Sequence, residues 1–315
     1  MRKSNDKEII LSICVPTYNR KVILKENIKE IKDKVSRYQN SVEILVGNNG
    51  SNDATVFMLE QFKNLKIVNL NPNRGINPIL LLLAAEAKGK YIWLLGDDDF
   101  LLGDIFDIVF QNIVLNNKKH SYFLSGKIYC SQSELQKKKK LSSKRRIFNS
   151  TKITPNLIRK SGFISSHVVD RKDYLEGLSK SLNFNRNNSY ATKYAYLHSH
   201  QKSKNIFYID DALLIGRIKN EESHFLNKNP NLTLKTFLTD EFDILQQIIN
   251  DNLLSMSDFW LNVRFITSPY RITILIKAFY QKTKFLLIST IYFFIGIIFG
   301  LFEYILIKLR LKKED

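Results

Sequence analysis

The chain contains little cysteine, glycine or proline, and each shortage excludes a class of protein. It has 2 Cys, 12 Gly and 6 Pro in 315 residues. Two cysteines cannot build a disulfide framework, and Cys14 and Cys130 do not have the spacing of a metal site. Cys14 lies in an apolar run, which predicts a buried thiol, and a reducing compartment fits this cysteine usage best. The low Gly and Pro content, beside 44% hydrophobic residues, also excludes a mainly disordered chain.

The sequence also lacks two kinds of recognisable signal. Its first ten residues, MRKSNDKEII, have no long apolar core, so we expect no signal peptide. No known RNA- or DNA-binding motif occurs, although the chain is basic. A length of 315 residues is enough for one large domain or two modest ones with a sizeable core.

Positive charge is abundant and unevenly distributed. The net charge is +18, yet residues 1–100 hold 15 Lys and Arg against 12 Asp and Glu, so most of the excess lies further along the chain. Such an excess favours polyanionic partners, namely nucleic acid, anionic lipid or phosphorylated substrates. The densest run, KKKKLSSKRR at 137–146, is either a solvated loop or a contact with a membrane surface or phosphate.

Apolar strand-like runs alternate with helical patterns in the first hundred residues. The predicted strands are 9–15, 42–46, 66–70 and 91–95, and the predicted helices are 21–35, 55–62 and 79–88. Asn77 is a plausible N-cap of the third helix and Pro78 its first residue. This alternation predicts an α/β domain with a mostly parallel sheet.

The pattern is looser in the rest of the chain. It predicts a helix at 103–115, strands at 163–169 and 206–209, and an amphipathic helix at 234–254. We expect one domain over 1–225, with halves 1–105 and 106–225, and a helical region over 226–315.

A long apolar segment lies near the C-terminus. Residues 285–302 carry no charge, and the apolar character resumes after Glu303 up to residue 307. Basic residues flank the segment on both sides, so its orientation is not indicated. We expect a membrane-associated helix at about 285–307, either spanning or lying in the interface.

Three consecutive aspartates, Asp97, Asp98 and Asp99, follow the fourth predicted strand in the segment YIWLLGDDDF. Adjacent carboxylates repel one another, and a divalent cation would remove that cost. Mg²⁺ prefers hard oxygen ligands and is commonly held by one or two carboxylates together with substrate phosphates. The alternative is a solvated acidic turn at the N-terminus of the next helix.

The other predicted strand ends carry groups that suit a nucleotide. Pro16 to Arg20 (PTYNR) offers an aromatic ring, an amide and a guanidinium, and Arg74 follows the third strand. The second strand is followed by GNNGSND, rich in short hydrogen-bonding side chains, with Asn48, Asn49 and Asp53 as binding candidates. Ligands of open α/β sheets bind beyond the carboxyl ends of the strands, so these groups predict a nucleotide diphosphate site.

Three segments, LSICVPTYNR, VEILVGNNGSNDAT and AEAKGKYIWLLGDDDFL, resemble the signature segments of glycosyltransferase family 2 in order and spacing. The triple aspartate is similar to the abequosyltransferase-like branch. The resemblance implies a GT-A fold with a mixed central sheet, a nucleotide-sugar donor and Mn²⁺ or Mg²⁺. By position, it implies that Pro16, Tyr18, Asn19 and Arg20 line the nucleoside site. It also implies that Asp98 and Asp99 face the donor and metal, with Asp97 nearby.

Two departures from the family pattern concern the nucleobase and the general base. The family usually has an aspartate where this chain has Asn48, which leaves uracil, thymine and cytosine open. Many relatives have an acidic pair about fifteen residues before a strand like IFYID, where this chain has YATKYAYLHSH. His198 is the base candidate in that segment, and Asp170 and Asp173 are rivals.

The favoured interpretation is therefore an inverting glycosyltransferase that acts on a glycan or lipid-linked acceptor in bacterial surface polysaccharide synthesis. It would work at the cytoplasmic face of the membrane, on an anionic surface and without nucleic acid. A nucleotidyltransferase is an alternative, although its glycine-rich phosphate loop is missing from VPTYNR. A nucleotide-sugar-binding protein without turnover is another, and a nucleic-acid-binding protein is disfavoured by the acidic cluster.

Overall fold

The computed structural model describes residues 8–101, 103–115, 120–124, 127–130, 147–154, 157–158, 161–209, 214–217 and 240–253. The chain divides into two compact units, one of residues 1–187 with 191–218 and one of residues 188–190 with 219–315. The predicted domain boundary at 225, the basic run 137–146 and the apolar segment 285–307 all lie outside the described residues. Within the described ranges, no helix combines the length and the apolar character needed to cross a bilayer.

The first half of the larger unit is a strand and helix alternation, as predicted. Its elements are β1 (Leu11–Thr17), α1 (Lys21–Val35), β2 (Val42–Asn48), α2 (Thr55–Leu59), β3 (Lys66–Asn69), α3 (Ile76–Glu86) and β4 (Tyr91–Leu94). The prediction of Asn77 as an N-cap is wrong, because α3 begins at Ile76 and Gly75 precedes it with a φ of 85°. Pro78 is tolerated inside the first turn, where its missing N–H has no helical partner to lose.

The second half is less regular. Its elements are β5 (Asp99–Leu101), α4 (Ile105–Leu115), β6 (His120–Leu124), β7 (Lys127–Cys130), β8 (Ile147–Ser150), β9 (His167–Asp170), α5 (Arg171–Phe184), α6 (Ala191–Lys202), β10 (Asn205–Ile209) and β11 (Leu214–Arg217). The strand predicted at 163–169 begins only at His167, because residues 164–166 form a 3₁₀ turn. In the smaller unit, α7 (Glu241–Asn250) lies within the predicted helix 234–254.

Eight strands form the main sheet in the order β3-β2-β1-β4-β9-β6-β10-β8, and a small sheet has the order β5-β11-β7. β3, β2, β1 and β4 are mutually parallel, whereas β9 runs antiparallel to both β4 and β6. The sheet is therefore mixed, as the family resemblance implied and the alternation alone did not. The carboxyl ends of β1, β2, β3 and β4 share one edge, and β9 begins at that edge.

Both faces of the central strands of the main sheet are buried. Ile13, Val15 and Trp93 belong to one apolar cluster with residues of α1 and α4, whereas Cys14 and Leu94 belong to the other with residues of α3, α5 and α6. Successive strand residues point to opposite faces, so a strand covered on both sides needs a continuous apolar run. Cys14 is a buried free thiol, as predicted, and burial raises its pKa well above the ordinary value.

Candidate active site

The polar loops that follow the parallel strands meet at one edge of the sheet. Thr17, Asn48 and Asn69 end β1, β2 and β3 and pair with one another in register. β4 pairs with β1 through Leu94 opposite Cys14, so the three aspartates leave the sheet at the same edge. The side-chain oxygen of Thr17 donates to Asp97 Oδ2 at 2.9 Å, which directly joins the β1 and β4 ends.

Arg20 forms ion pairs with the first two aspartates. Its Nη1 lies 2.7 Å from Asp97 Oδ1 and 3.0 Å from Asp98 Oδ2. The Arg20 side chain is 29% exposed and that of Asp98 is 17% exposed, whereas Asp97 is buried. The sequence suggested that Arg20 would meet phosphate. In this structure the guanidinium instead supplies the counter-charge that adjacent carboxylates require.

The third aspartate is held separately. Ser165 Oγ donates to Asp99 Oδ2 at 2.8 Å and accepts from the Gly96 N–H at 2.9 Å. Trp93 Nε1 donates to the Ser165 carbonyl at 3.0 Å, which fixes the 3₁₀ turn against β4. Sequence reasoning missed Ser165, because nothing in FISSHV indicates that its turn reaches the aspartates.

Gly96 is required for this arrangement. A Cβ on Gly96 would lie 2.5 Å from Asp99 Oδ2 and 3.5 Å from Asp98 Oδ1. The first distance is shorter than side chains tolerate, so any other residue would displace the Asp99 carboxylate. Asn27 of α1 donates from Nδ2 to the Gly96 carbonyl at 3.0 Å and holds the same residue from another element. The missing Cβ therefore allows the Asp99 carboxylate to pack closely against the Gly96 backbone.

Asn48 belongs to an amide pair whose orientation follows from its partners. The Ser51 N–H donates to Asn48 Oδ1 at 3.0 Å, and only an oxygen can accept there. Asn48 Nδ2 consequently faces Asn69, to whose Oδ1 it donates at 3.0 Å. Asn48 is buried and Asn69 is exposed. The pair thus presents neutral amides, where an aspartate at 48 would present a charged acceptor.

The loops after β1 and β2 are tied to each other. Asn19, with a φ of 52°, accepts from the Asn52 N–H at 2.9 Å and donates from its own N–H to Ser51 Oγ at 2.9 Å. Asp53 accepts from the Lys21 N–H at 3.1 Å and from Thr55. Burial raises the pKa of Asp53, but these hydrogen bonds outweigh it and hold the pKa below the usual value. Asn19 and Asp53 therefore organise the loops.

The remaining predicted nucleotide-site residues lie around this framework. Asn49 donates to Asn73 Oδ1 at 3.1 Å and to the Gly75 carbonyl at 2.9 Å, which shapes the loop that carries Arg74. The Tyr18 side chain is 44% exposed, and Arg74 is exposed. Pro16 is buried inside β1.

The three general-base candidates lie at the opposite end of β4. Asp170 pairs with Tyr91, the first residue of β4, and caps α5 by accepting from the Lys172 and Asp173 N–H groups. Tyr91 precedes Gly96 by five residues, so at about 3.3 Å per extended residue that end lies up to about 16 Å from Gly96. Ser199 of α6 donates to the Asp170 carbonyl at 3.4 Å, which brings the adjacent His198 to the same end. The structure does not bring Asp170, Asp173 or His198 together with Asp97–Asp99.

His198 contacts a charged cluster between α5 and α6. Its Nε2 lies 3.4 Å from Glu176 Oε1. Hydrogen bonds from Lys202 and Lys180 lower the pKa of Glu176 to about 2. Burial, followed by the charges of Lys180 and Lys202, lowers the pKa of His198. Its imidazole is therefore a neutral, packed side chain at neutral pH.

His200 points to a different element, as expected for residues two apart on a helix. Its Nδ1 lies 2.7 Å from Ser121 Oγ and its Nε2 lies 2.9 Å from His167 Nδ1. The His167 ring stacks on Tyr196 at 4.1 Å between centroids. Burial lowers the pKa of His200 to about 3, so His200 is neutral in the folded protein at neutral pH.

The aspartate cluster suits a divalent cation by residue type. Within the described part of the chain, no three His, Cys, Asp or Glu side chains converge as a ready metal site. Mg²⁺, however, typically takes one or two carboxylates and completes its shell with substrate phosphates and water. The neighbouring carboxylates of Asp98 and Asp99 provide such hard oxygen ligands. The residues present therefore fit a metal that is shared with a ligand.

Two curated relatives resemble this chain in sequence. The abequosyltransferase RfbV of Salmonella typhimurium is 32% identical over 110 residues, which is 32% of each chain. The GalNAc(5)-diNAcBac-PP-undecaprenol beta-1,3-glucosyltransferase of Campylobacter jejuni is 29% identical over 151 residues, 42% of this chain and 48% of that protein. The matches thus span about a third and about a half of the relatives' lengths.

Solved structures establish the fold. TarS 1–349 of S. aureus in complex with UDP-GlcNAc superposes with a TM-score of 0.57 at 15% identity, covering 91% of this chain and 79% of that one. The mannosyltransferase PcManGT of Pyrobaculum calidifontis, in complex with GDP-Man and Mn²⁺, gives 0.50 at 10% identity, covering 93% and 87%. Both likenesses support the GT-A fold that the motifs implied.

The sequence model of the family "Glycosyl transferase family 2" matches residues 12–169, half of the chain. The chain therefore belongs to glycosyltransferase family 2.

Proposed function

We propose that this protein transfers a sugar from a nucleotide-sugar donor to a glycan or lipid-linked oligosaccharide in the synthesis of a bacterial surface polysaccharide. The observation that carries the proposal is the meeting of the β1, β2 and β4 loops at one sheet edge. The Thr17–Asp97 and Arg20–Asp98 contacts join the β1 and β4 ends, and the Asn19–Asn52 contact joins the β1 and β2 loops. The names of the two curated relatives, an abequosyltransferase and a glucosyltransferase of an undecaprenol-linked glycan, support the acceptor class.

Each part of the edge suits one part of the donor. The exposed Tyr18 ring offers a stacking surface for a nucleobase, beside the Asn48–Asn69 amide pair. Arg74 is exposed in the next loop and suits a diphosphate, since a guanidinium binds phosphate through two parallel hydrogen bonds. UDP-GlcNAc and GDP-Man in the two structural neighbours support a nucleoside diphosphate sugar as the ligand class.

Asp98 and Asp99 would hold Mn²⁺ or Mg²⁺ through their carboxylate oxygens. When bound, the ion would neutralise charge on the departing nucleoside diphosphate. The Ser165 hydrogen bond orients the Asp99 carboxylate for this role, and Arg20 balances the negative charge of Asp97 and Asp98. The Mn²⁺ in the mannosyltransferase complex supports a divalent ion in this fold.

The proposed course of transfer is inverting and needs a general base at the acceptor side. Asp170, Asp173 and His198 lie at the far end of β4, so we assign the base to none of them. β10 ends at Ile209 and runs parallel to β6, and the aspartates at 210 and 211 that follow lie outside the described residues.

We further propose that the protein works at the cytoplasmic face of the membrane. The support is the sequence, namely the apolar segment 285–307 with its basic flanks and the basic run 137–146. Removing residues 285–315 should release the protein from the membrane fraction into the soluble fraction. An unchanged membrane fraction would assign the attachment to another part of the chain.

The decisive experiment incubates the full chain and Mn²⁺ with a panel of UDP-, CDP-, dTDP- and GDP-sugars and a lipid-linked acceptor. We expect one donor to release nucleoside diphosphate with formation of glycosylated lipid, and EDTA to abolish both. Donor binding without any product would favour a nucleotide-sugar-binding protein. Release of pyrophosphate from a nucleoside triphosphate and a sugar phosphate would favour a nucleotidyltransferase.

A further inference from the structure

Arg20 occupies the place between two carboxylates. Its single Nη1 nitrogen contacts both Asp97 Oδ1 at 2.7 Å and Asp98 Oδ2 at 3.0 Å. Asp97 is buried and also accepts from Thr17 at the end of β1, so the structure holds it from two sides. The Arg20 side chain, at 29% exposure, is more accessible than either carboxylate. The Arg20 side chain can therefore move away with less change in packing than either aspartate side chain could.

A guanidinium and a divalent cation compete for Asp98. Both are attracted to the same carboxylate, and like charges repel strongly where burial limits screening by water. Asp98 Oδ2 contacts Arg20 at 3.0 Å. A cation bound to Asp98 would therefore share one carboxyl group with Arg20. Until a ligand brings further negative charge, Arg20 therefore weakens the binding of the metal to Asp98.

A nucleoside diphosphate removes this conflict. It brings negative charge, gives the metal further oxygen ligands and offers the planar guanidinium a pair of acceptors. Arg20 lies in the loop directly after β1, beside the exposed Tyr18. Its long side chain can exchange Asp98 for phosphate oxygens without movement of the strands.

We propose that Arg20 couples the binding of the divalent metal to the binding of the nucleotide. It neutralises Asp98 when the site holds no nucleotide and turns to the diphosphate when nucleotide and metal enter together. This inference rests on the proposed function. Because coupling between two ligands is reciprocal, the metal must raise nucleotide affinity by the same factor as the nucleotide raises metal affinity.

The test titrates Mn²⁺ into the full chain by calorimetry, with the electron paramagnetic resonance signal of free Mn²⁺ as a second readout. The titration is made alone and with saturating UDP, CDP, dTDP or GDP, corrected for Mn²⁺ held by free nucleotide. We expect the tightest nucleotide to strengthen Mn²⁺ binding about 5- to 150-fold. In Arg20→Gln, Mn²⁺ alone should bind about tenfold tighter, and the gain from nucleotide should shrink by the same factor.

Lys25→Gln is the matched control, because it removes one positive charge from an exposed position one turn further along α1. It should leave both titrations as in the wild type. Unchanged or weaker binding of Mn²⁺ alone by Arg20→Gln would overturn the coupling, whereas the proposed function would stand. Absence of Mn²⁺ and nucleotide uptake by every variant would overturn the proposed function itself.

Arg20→Lys provides a second variant should Arg20→Gln fail to give a native circular dichroism spectrum. Lysine keeps the charge but cannot form the paired hydrogen bonds of a guanidinium. It should therefore leave the binding of Mn²⁺ alone nearly unchanged and reduce the nucleotide-dependent gain. A gain equal to that of the wild type would count against the inference.

Discussion

Aspartates lie at both ends of β4, but their hydrogen-bond partners differ. At the carboxyl end, Asp97 and Asp98 accept from the partly exposed Arg20, a partner that a ligand can replace. At the amino end, Asp170 accepts from the first backbone N–H groups of α5, which no ligand can replace without unwinding the helix. The comparison teaches that aspartates of the same sheet differ in their partners, which are a side chain at one end of β4 and the backbone of a helix at the other.

The strongest test of this difference removes one carboxylate charge at each end of β4. Asp98→Asn should lower glycosyl transfer about 100- to 1000-fold, the usual cost of removing one group that stabilises a charged transition state. Asp170→Asn should leave transfer unchanged, since asparagine caps helices as well as aspartate does. Transfer rates with circular dichroism as a control for folding would check both. Full activity of Asp98→Asn would remove the distinction between the two ends.

The second prediction concerns pH, through the buried His200. Its pKa is about 3 in the folded protein and about 6.5 when unfolded, so below pH 6.5 only the unfolded chain takes up the proton. The free energy of unfolding should therefore fall as the pH drops from 6.5 towards 3, by about 2 kcal/mol at pH 5.

Urea unfolding at pH 7 and pH 5 measures this loss. In His200→Gln the part of the loss that belongs to this residue should disappear, because glutamine does not titrate in the range. An equal pH dependence in the variant and the wild type would assign the effect to other groups.

A third prediction concerns the amide pair at the ends of β2 and β3. Asn48→Asp keeps the acceptor for the Ser51 N–H and adds a charged oxygen, which favours bases with an N–H at ring nitrogen 3. The ratio of UDP to CDP affinity should rise about tenfold or more, the effect of one satisfied hydrogen bond to a charged group. Asn52→Asp, the same change at an exposed loop position, is the control for charge. An unchanged ratio of UDP to CDP affinity would show that Asn48 does not determine which base is bound.

The smallest expected effect is at the far end of the sheet. Asp170→Ala removes the N-cap of α5 and should lower the free energy of unfolding by about 1 kcal/mol, with no change in transfer once the protein is folded. Thermal unfolding and initial rates would test this. A large loss of transfer at unchanged stability would return Asp170 to the list of general-base candidates.

The sequence predicted the first hundred residues well, for a physical reason. Strands buried on both faces require continuous apolar runs such as 11–15 and 91–95, and helices require apolar residues at a spacing near 3.6. Local geometry was less predictable. Asn77 suggested a helix start, but Gly75 takes the positive φ and α3 begins earlier. Likewise, the residues before His167 form a turn, because Ser165 bonds to Gly96 and Asp99.

The sequence by itself determined which residues gather at the proposed donor edge, because consecutive parallel strands end on the same side of a sheet. Asn48 ends one such strand, and Tyr18 and Asp97 follow two others, so the alternation of strands and helices was enough to predict that they lie near one another. Only the tertiary structure decided the direction of β9, which runs antiparallel to β4 and carries Asp170 to the opposite end. Strand direction depends on pairing between distant segments, and local periodicity is the same for either direction.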